Sequence, residues 1–275
     1  MAMGKIKNLT LYQQVYDATL KKAQRGELPT RLLLQNEVLF RGVPRERLHL
    51  VDGLVTSASA QEQIWVRDQH QDWNRFTGSS PDPKAEVTRG GCYFFQHEAA
   101  GIAEMRHYAL QSPPGQLQLD LGKLPESIPH LLASKCILRV SLTAPKLLAD
   151  LSLFSSQGDV SAMLRSLGLP PQAVSADDYS VSRALGHAMQ AVPYLHGLIA
   201  QTARETERGS ESGDNICLFG SDQAPVEGLR IESAYFFFPP GLLPFPDRSS
   251  AANEIVKVGI KQVVREPWQQ LELGV

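Results

Sequence analysis

Apolar and polar positions along the chain alternate between two rhythms, and the changes of rhythm mark the elements. From Leu9 to Arg25, the residues Leu9, Leu11, Val15, Ala18, Thr19 and Lys22 fall at helical spacing, and Gly26 closes the run. This predicts an amphipathic helix with a glycine stop. After Pro29 comes the apolar triplet Leu32-Leu33-Leu34, and Glu37 to Arg41 reads as a strand halted by Gly42 and Pro44. A helix is expected around Ala58 to Asp72, followed by a Gly/Ser/Pro loop over 78–83. Cys92-Tyr93-Phe94-Phe95 is a compact apolar strand. Glu98 to Leu110 carries Ala99, Ile102, Ala103 and Met105 at helical spacing.

Residues 111–130, with Pro113, Pro114, Pro125 and Pro129, read as an irregular excursion. Cys136 to Leu142 is the clearest strand, and Ser180 to Ala191 is a helix ending ahead of Pro193. Gly197 to Ala200 and Asn215 to Phe219 read as two strands joined by a polar loop. Ala234 to Phe238 and Ile255 to Ile260 are further strand-like runs. There is no internal repeat and no long linker. Strands and helices do not alternate regularly enough for a doubly wound sheet, so the expectation is a single α+β domain.

Composition narrows function only by exclusion. The 275 residues carry a formal net charge of -2 and a pI near 6.4, without the basic face or tail of a nucleic-acid binder. No apolar run approaches the roughly 20 residues that span a bilayer, and Met1 to Asn8 is polar, so a cytoplasmic protein is expected. Cys92, Cys136 and Cys217 are far apart, odd in number and set in apolar runs, which reads as buried thiols in a reducing compartment. No CxxC pair occurs, His97-Glu98 lacks the second histidine of HExxH, and no metal site is expected. Gly209-Ser210-Glu211-Ser212-Gly213 matches GxSxG, but a nucleophile elbow needs a helix directly after it and Asn215 to Phe219 is β-like. Neither a P-loop nor GxGxxG is present.

What remains is a set of reactive side chains at strand ends and on the following helix: Arg41, Arg75-Phe76, Tyr93, Glu104, Thr202 and Arg204. Their order resembles the RES domain family. Leu39-Phe40-Arg41 resembles its opening apolar-aromatic-Arg element, and Arg75-Phe76 its Arg-aromatic element. Gly91 to Phe95 followed by Ala100 to Glu104 is similar to its strand-helix unit. Leu138 to Leu142 falls where the family has its middle strand. Gly197 to Arg204 and Asn215 to Phe219 resemble its closing Ser-Ala-Arg and Asn-x-x-x-Phe elements. The resemblance spans roughly residues 36–220, and Thr202 stands where the family has serine, keeping the hydroxyl while adding a methyl group.

The resemblance implies an ADP-ribosyltransferase-like split sheet, mixed and antiparallel, with surrounding helices. It implies a catalytic domain over 36–227; a helical extension over 1–35, the excursion over 111–130 and a C-terminal extension over 228–275, expected to pack on the same domain, have no counterpart in the family. It also implies a toxin that consumes NAD+ as substrate, with no separate cofactor, cleaving the nicotinamide–ribose bond with water or inorganic phosphate as acceptor. A cognate antitoxin or an immunity protein is the implied partner.

The chemistry suits the residue types. Cleavage builds positive charge on the ribose, which a carboxylate such as Glu104 stabilises. The pyrophosphate needs a planar cationic fork, for which Arg41 is the first candidate, Arg75 the second and Arg204 the third. Tyr93 can stack on nicotinamide, and Thr202 can hold Glu104 or a ribose hydroxyl by hydrogen bond. Phe76 and Asn215 complete the expected NAD-binding set. A mono-ADP-ribosyltransferase acting on a protein or nucleic acid is the first alternative, and a non-catalytic NAD-binding or interaction module the second. Oligomeric state is not legible in the sequence.

Overall fold

The first helix, α1 (Leu9–Gln24), begins where the Asn8 side chain accepts the Leu11 N–H at 2.9 Å, a side-chain cap on an otherwise orphaned donor. It ends in a Schellman turn: Gly26 N–H donates to Ala23 O and Glu27 N–H to Lys22 O, with Gly26 at φ 69°. Lys21 and Lys22 in the last turn complement the negative end of the helix dipole. The same closure ends α2 (Asp159–Ser166), where Gly168 N–H donates to Arg165 O and Leu169 N–H to Leu164 O. The buried stripe of α1 is Tyr12, Val15, Thr19 and Ala23, while Leu9 is 58% exposed. The apolar face thus lies to one side of the stripe expected from Leu9 and Leu11, because Tyr12 is drawn inward by a hydrogen bond to His187.

The structure, a computed structural model, describes residues 8–44, 50–51, 54–56, 60–66, 75–78, 80, 89–97, 135–151, 159–170, 173–174, 178–201, 214–221, 224–238, 256–257 and 270–272. The strands are β1 (Thr30–Leu33), β2 (Val38–Pro44), β3 (Leu50–Val51), β4 (Leu54–Thr56), β5 (Arg89–Phe95), β6 (Lys135–Leu142), β7 (Lys146–Asp150), β8 (Gly197–Gln201), β9 (Asp214–Ser221), β10 (Leu229–Phe238), β11 (Val256–Lys257) and β12 (Gln270–Glu272). A third helix, α3, covers Ser180–Gln190. The fold is mixed α+β, and the chain divides into two compact units, each assembled from three segments.

The first unit takes Met1–Glu37, Ile64–Gln96 and Leu142–Leu229. Its strands lie in the order β1-β7-β8-β9-β5, all neighbours antiparallel except β7 and β8. A parallel pair needs a crossover, and the chain between β7 and β8 supplies α2 and α3. The core of this unit joins the sheet to the helices: Val15 and Ala23 of α1, Val160 and Leu164 of α2, and Leu185 and Met189 of α3 meet Leu198 and Cys217. Cys92 and Cys217 are buried thiols in no disulfide; the side chain of Cys136 lies outside the described residues.

The second unit takes Val38–Gln63, His97–Ser141 and Arg230–Val275. In it β2 and β6 pair antiparallel, with β10 and β11 following in order, and β12, β4 and β3 form a small separate sheet. The first of these strands runs past Gly42 to Pro44 instead of stopping after Arg41. Its partner β6 continues opposite it to Lys135, and a terminal proline leaves no interior ladder donor missing. Of the helix expected over Ala58 to Asp72, the described residues are helical from Ala60 to Ile64, α at Ala60 and Gln61 and 3-10 over Glu62–Ile64, and the helix does not continue into Trp65, which bridges to Pro225. Hydrogen bonds from Val66 N–H to Ala224 O and from Val226 N–H to Ile64 O hold that stretch extended, overriding helical spacing. The helix expected over Glu98 to Leu110 and the excursion over 111–130 lie outside the described residues.

The left-handed turn at Gly26 gives a direct check. No atom lies within 4 Å of a Cβ built there, so Gly26→Ala is opposed by backbone conformation alone. It should destabilise the protein by about 1 kcal/mol, and Gly26→Asn by less, in equilibrium denaturation.

Candidate functional site

All eleven residues of α3 are buried, which is unusual for a helix carrying serines, an arginine, a histidine and a glutamine. Val181, Ala184, Leu185, Ala188 and Met189 make its apolar face, and Ser182, Arg183, Gly186, His187 and Gln190 recur at spacings of three and four on the other. Buried polar groups ordinarily find partners, and some on this helix do, while Ser182 Oγ and the Gln190 side-chain amide have none among the described residues. At the N-terminus Asp178 Oδ1 accepts from both the N–H and the hydroxyl of Ser180, at 2.9 and 2.5 Å, and the Asn8 N–H donates to Ser180 Oγ at 3.1 Å. His187 is held at both ring nitrogens: Nε2 lies 2.8 Å from Gly78 O, and Nδ1 lies 2.7 Å from the Tyr12 hydroxyl. A carbonyl can only accept, so Nε2 carries the proton and Nδ1 receives the tyrosine O–H. Burial, with the nearby Arg183 charge adding to it, pushes the His187 pKa down to about 4, although the bond to Gly78 opposes the shift.

The polar stripe of α3 is covered by the turn Arg75–Gly78. A Cβ at Gly186 would overlap the Phe76 carbonyl, so only glycine lets this turn rest against the helix. The turn is fastened from the other side by Tyr93 of β5. Its hydroxyl accepts the Phe76 N–H at 3.2 Å and shares a hydrogen bond with the Thr77 hydroxyl at 3.3 Å. Burial raises the Tyr93 pKa well above its ordinary value, and the Cys217 thiol beside it acts in the same direction. Tyr93 is therefore a neutral hydroxyl that fixes the turn, with its ring packed at the margin of the core.

Arg75 leaves this turn half-buried. It donates from Nη1 to Val174 O at 3.3 Å, and its guanidinium lies 5.3 Å from the centre of the Tyr179 ring. The Arg183 guanidinium lies 5.5 Å from the same ring. Two guanidinium groups thus share one tyrosine at the N-terminus of α3. At its C-terminus Arg89 of β5 donates to the carbonyl of Gln190, which the helix leaves open, and to those of Val192 and Leu195 just beyond it, at 3.3, 3.4 and 3.0 Å.

Of the residues singled out in the sequence, Arg75, Phe76 and Tyr93 come together in the first unit. Phe76 is a core ring, only 5% exposed. Asn215 lies in β9 opposite Phe95 of β5 and Ala200 of β8, and its Oδ1 is buried with no hydrogen-bond partner among the described residues. The register sets the ends of β5 and β8, Phe95 and Gln201, on either side of the start of β9. The chain therefore enters the segments carrying Glu104 and Thr202 from one end of this sheet. Arg41 belongs to the second unit, half-buried in β2 opposite Leu138 of β6. Glu104, Thr202 and Arg204 lie outside the described residues.

Sequence reading missed Tyr179, Ser182, Arg183, His187 and Gln190. Their signal was present as a polar stripe at helical spacing, but such a stripe is ordinarily the solvent face of a helix. No protein-family model matches this chain, and no curated protein or solved structure matches it either.

His187 makes stability depend on pH. Its folded pKa lies below its unfolded value, so the unfolded chain gains the proton first. Stability is intact above about pH 6.5 and declines as pH falls toward 4, by about 3 kcal/mol from this group at pH 4. Denaturant unfolding at pH 7 and pH 4.5 should show the decline, and His187→Gln should flatten that part of the profile while lowering stability at pH 7.

Proposed function

We propose that this protein cleaves NAD+ at the nicotinamide–ribose bond, transferring ADP-ribose to water or inorganic phosphate. The observation that carries the reading is the gathering of Arg75 and Tyr93 about one fixed turn, beside the shared Tyr179 and Arg183. A half-buried guanidinium held next to an aromatic ring is the kind of fork that binds a pyrophosphate. The ordered likeness to RES domains supports the same chemistry. On this reading the core is ADP-ribosyltransferase-like, Glu104 stabilises the oxocarbenium-like ribose, and Thr202 orients that carboxylate or a ribose hydroxyl. Arg41 keeps the pyrophosphate role the likeness implies. The protein then acts as a cytoplasmic toxin and requires an antitoxin or immunity protein.

The engaged Tyr93 hydroxyl modifies one part of this reading. With its oxygen committed to Phe76 and Thr77, Tyr93 acts through its ring and by shaping the Arg75 turn, not as an acid or base.

The test is product identity by mass after incubating the full chain with NAD+, with and without phosphate. Free ADP-ribose or ADP-ribose 1″-phosphate, together with nicotinamide, is expected. ADP-ribose attached to a macromolecule would make the protein a transferase instead, and NAD+ bound without nicotinamide release would make it a binding module. Glu104→Ala and Arg41→Ala should each reduce turnover by at least a hundredfold with the fold retained by circular dichroism. Full activity in either variant would remove that residue from the mechanism. Arg75→Lys should raise KM more than it lowers kcat, since it trades a planar fork for a point charge.

A further inference from the structure

At the sheet end away from Phe95, three basic side chains of the first unit come together from neighbouring strands. Arg89 opens β5 and faces Ser221 of β9. Phe219 of the same strand lies under the Arg89 guanidinium, 5.2 Å from ring centre to Cζ, and donates its N–H to His196 O at 2.8 Å. His196 immediately precedes β8 and is tied to β7 twice: its N–H donates to Leu147 O at 2.8 Å, and its Nδ1 accepts the Leu147 N–H at 3.1 Å. Lys146, the first residue of β7, is only 9% exposed, and its amino end lies along Gly228. Four residues of extended strand separate Arg89 from Tyr93, about 13 Å, so the cluster lies apart from the Arg75–Tyr93 turn.

Among the described residues no carboxylate lies within ion-pair distance of Arg89 or Lys146. Glu227 acts on Lys146 from a distance and is itself exposed. Among the described residues the Arg89 guanidinium meets carbonyl groups and a ring face. The groups also oppose one another's protonation. Burial first, then the Arg89 charge, works against the Lys146 ammonium, while burial and the charges of Lys146 and Arg89 hold down the His196 pKa. Because Nδ1 of His196 accepts a backbone N–H, its Nε2 carries a proton and remains a donor.

We infer that Lys146 and His196, backed by Arg89, form an anion site for a tetrahedral oxyanion of the phosphate class. Lys146 supplies a point charge, His196 a directed N–H from Nε2, and Arg89 a fixed positive charge braced at the C-terminus of α3. A bound oxyanion relieves the repulsion between the Lys146 and Arg89 charges, and in return they raise its affinity above that of chloride. The free anion and a phosphomonoester present the same oxygens, so both are candidate ligands.

The experiment is a titration of the full chain with inorganic phosphate at ionic strength held constant with sodium chloride, read by the imidazole resonances of His196 in NMR. A parallel titration uses ribose 5-phosphate, and the tighter of the two identifies the source of the phosphoryl group. Saturable displacement of the His196 resonances is expected from at least one of them, together with an upward move of its titration midpoint. Lys146→Met should weaken binding tenfold or more. His196→Asn keeps an acceptor for the Leu147 N–H at an exposed position, removes the Nε2 donor, and should weaken binding severalfold as read by calorimetry. A response that does not saturate, or one that chloride alone reproduces, overturns the site. So does unchanged affinity in a folded His196→Asn protein. Nicotinamide release from NAD+ should persist in His196→Asn, which separates this site from the proposed reaction.

Discussion

A helix buried on every side has nowhere to hydrate its polar side chains, and that constraint organises the first unit. Around α3 the chain arranges one partner after another: Asp178 and Asn8 at Ser180, Tyr12 and Gly78 at His187, and the Phe76 carbonyl resting where Gly186 has no side chain. Unpaired polar groups in such a place each cost on the order of 1–3 kcal/mol. Helix α1, the Arg75–Gly78 turn and Arg89 of β5 each meet part of this one eleven-residue segment, while Ser182 Oγ and the Gln190 side-chain amide are met by none of the described residues. The candidate site is a by-product of that arrangement, since the turn that presents Arg75 is the turn that closes over α3.

Much of this architecture was legible in the sequence, for identifiable reasons. Strands such as Cys136–Leu142 and Asn215–Phe219 announce themselves as dense apolar blocks, and Gly26 marks the end of α1 because a left-handed residue is needed there. β7 was not legible. It starts at Lys146 and ends at Asp150, residues ordinarily found outside, yet both are buried here, and Asp150 receives the Arg31 Nε–H at 2.9 Å. The helical spacing that begins at Ala60 does not hold beyond Ile64, because Trp65 and Val66 pair with Pro225 and Ala224, partners remote in sequence.

The site shows the same division. Arg75, Phe76 and Tyr93 were named from their order along the chain, and the structure brings them into one place. Their relation was not predictable: the tyrosine oxygen is spent on the turn, and the phenylalanine ring belongs to the core. Arg183 and His187 escaped notice because a period of three and four records that residues share a face, not what that face meets. The basic cluster at Lys146, His196 and Arg89 was hidden more deeply, being assembled from residues far apart in the chain by strand register alone.

The bond between Tyr12 and His187 also has a meaning in time. Its two ends are separated by 175 positions, so on the ribosome α1 emerges long before the helix that covers it. At 5–20 residues per second the delay is about 10 to 35 s. Through most of that interval the stripe Tyr12, Val15, Thr19 and Ala23 waits for the helices it packs on, Met163 of α2 reaching Thr19 only 144 positions later and His187 of α3 later still. A helix made this early is among the last of the first unit to be docked.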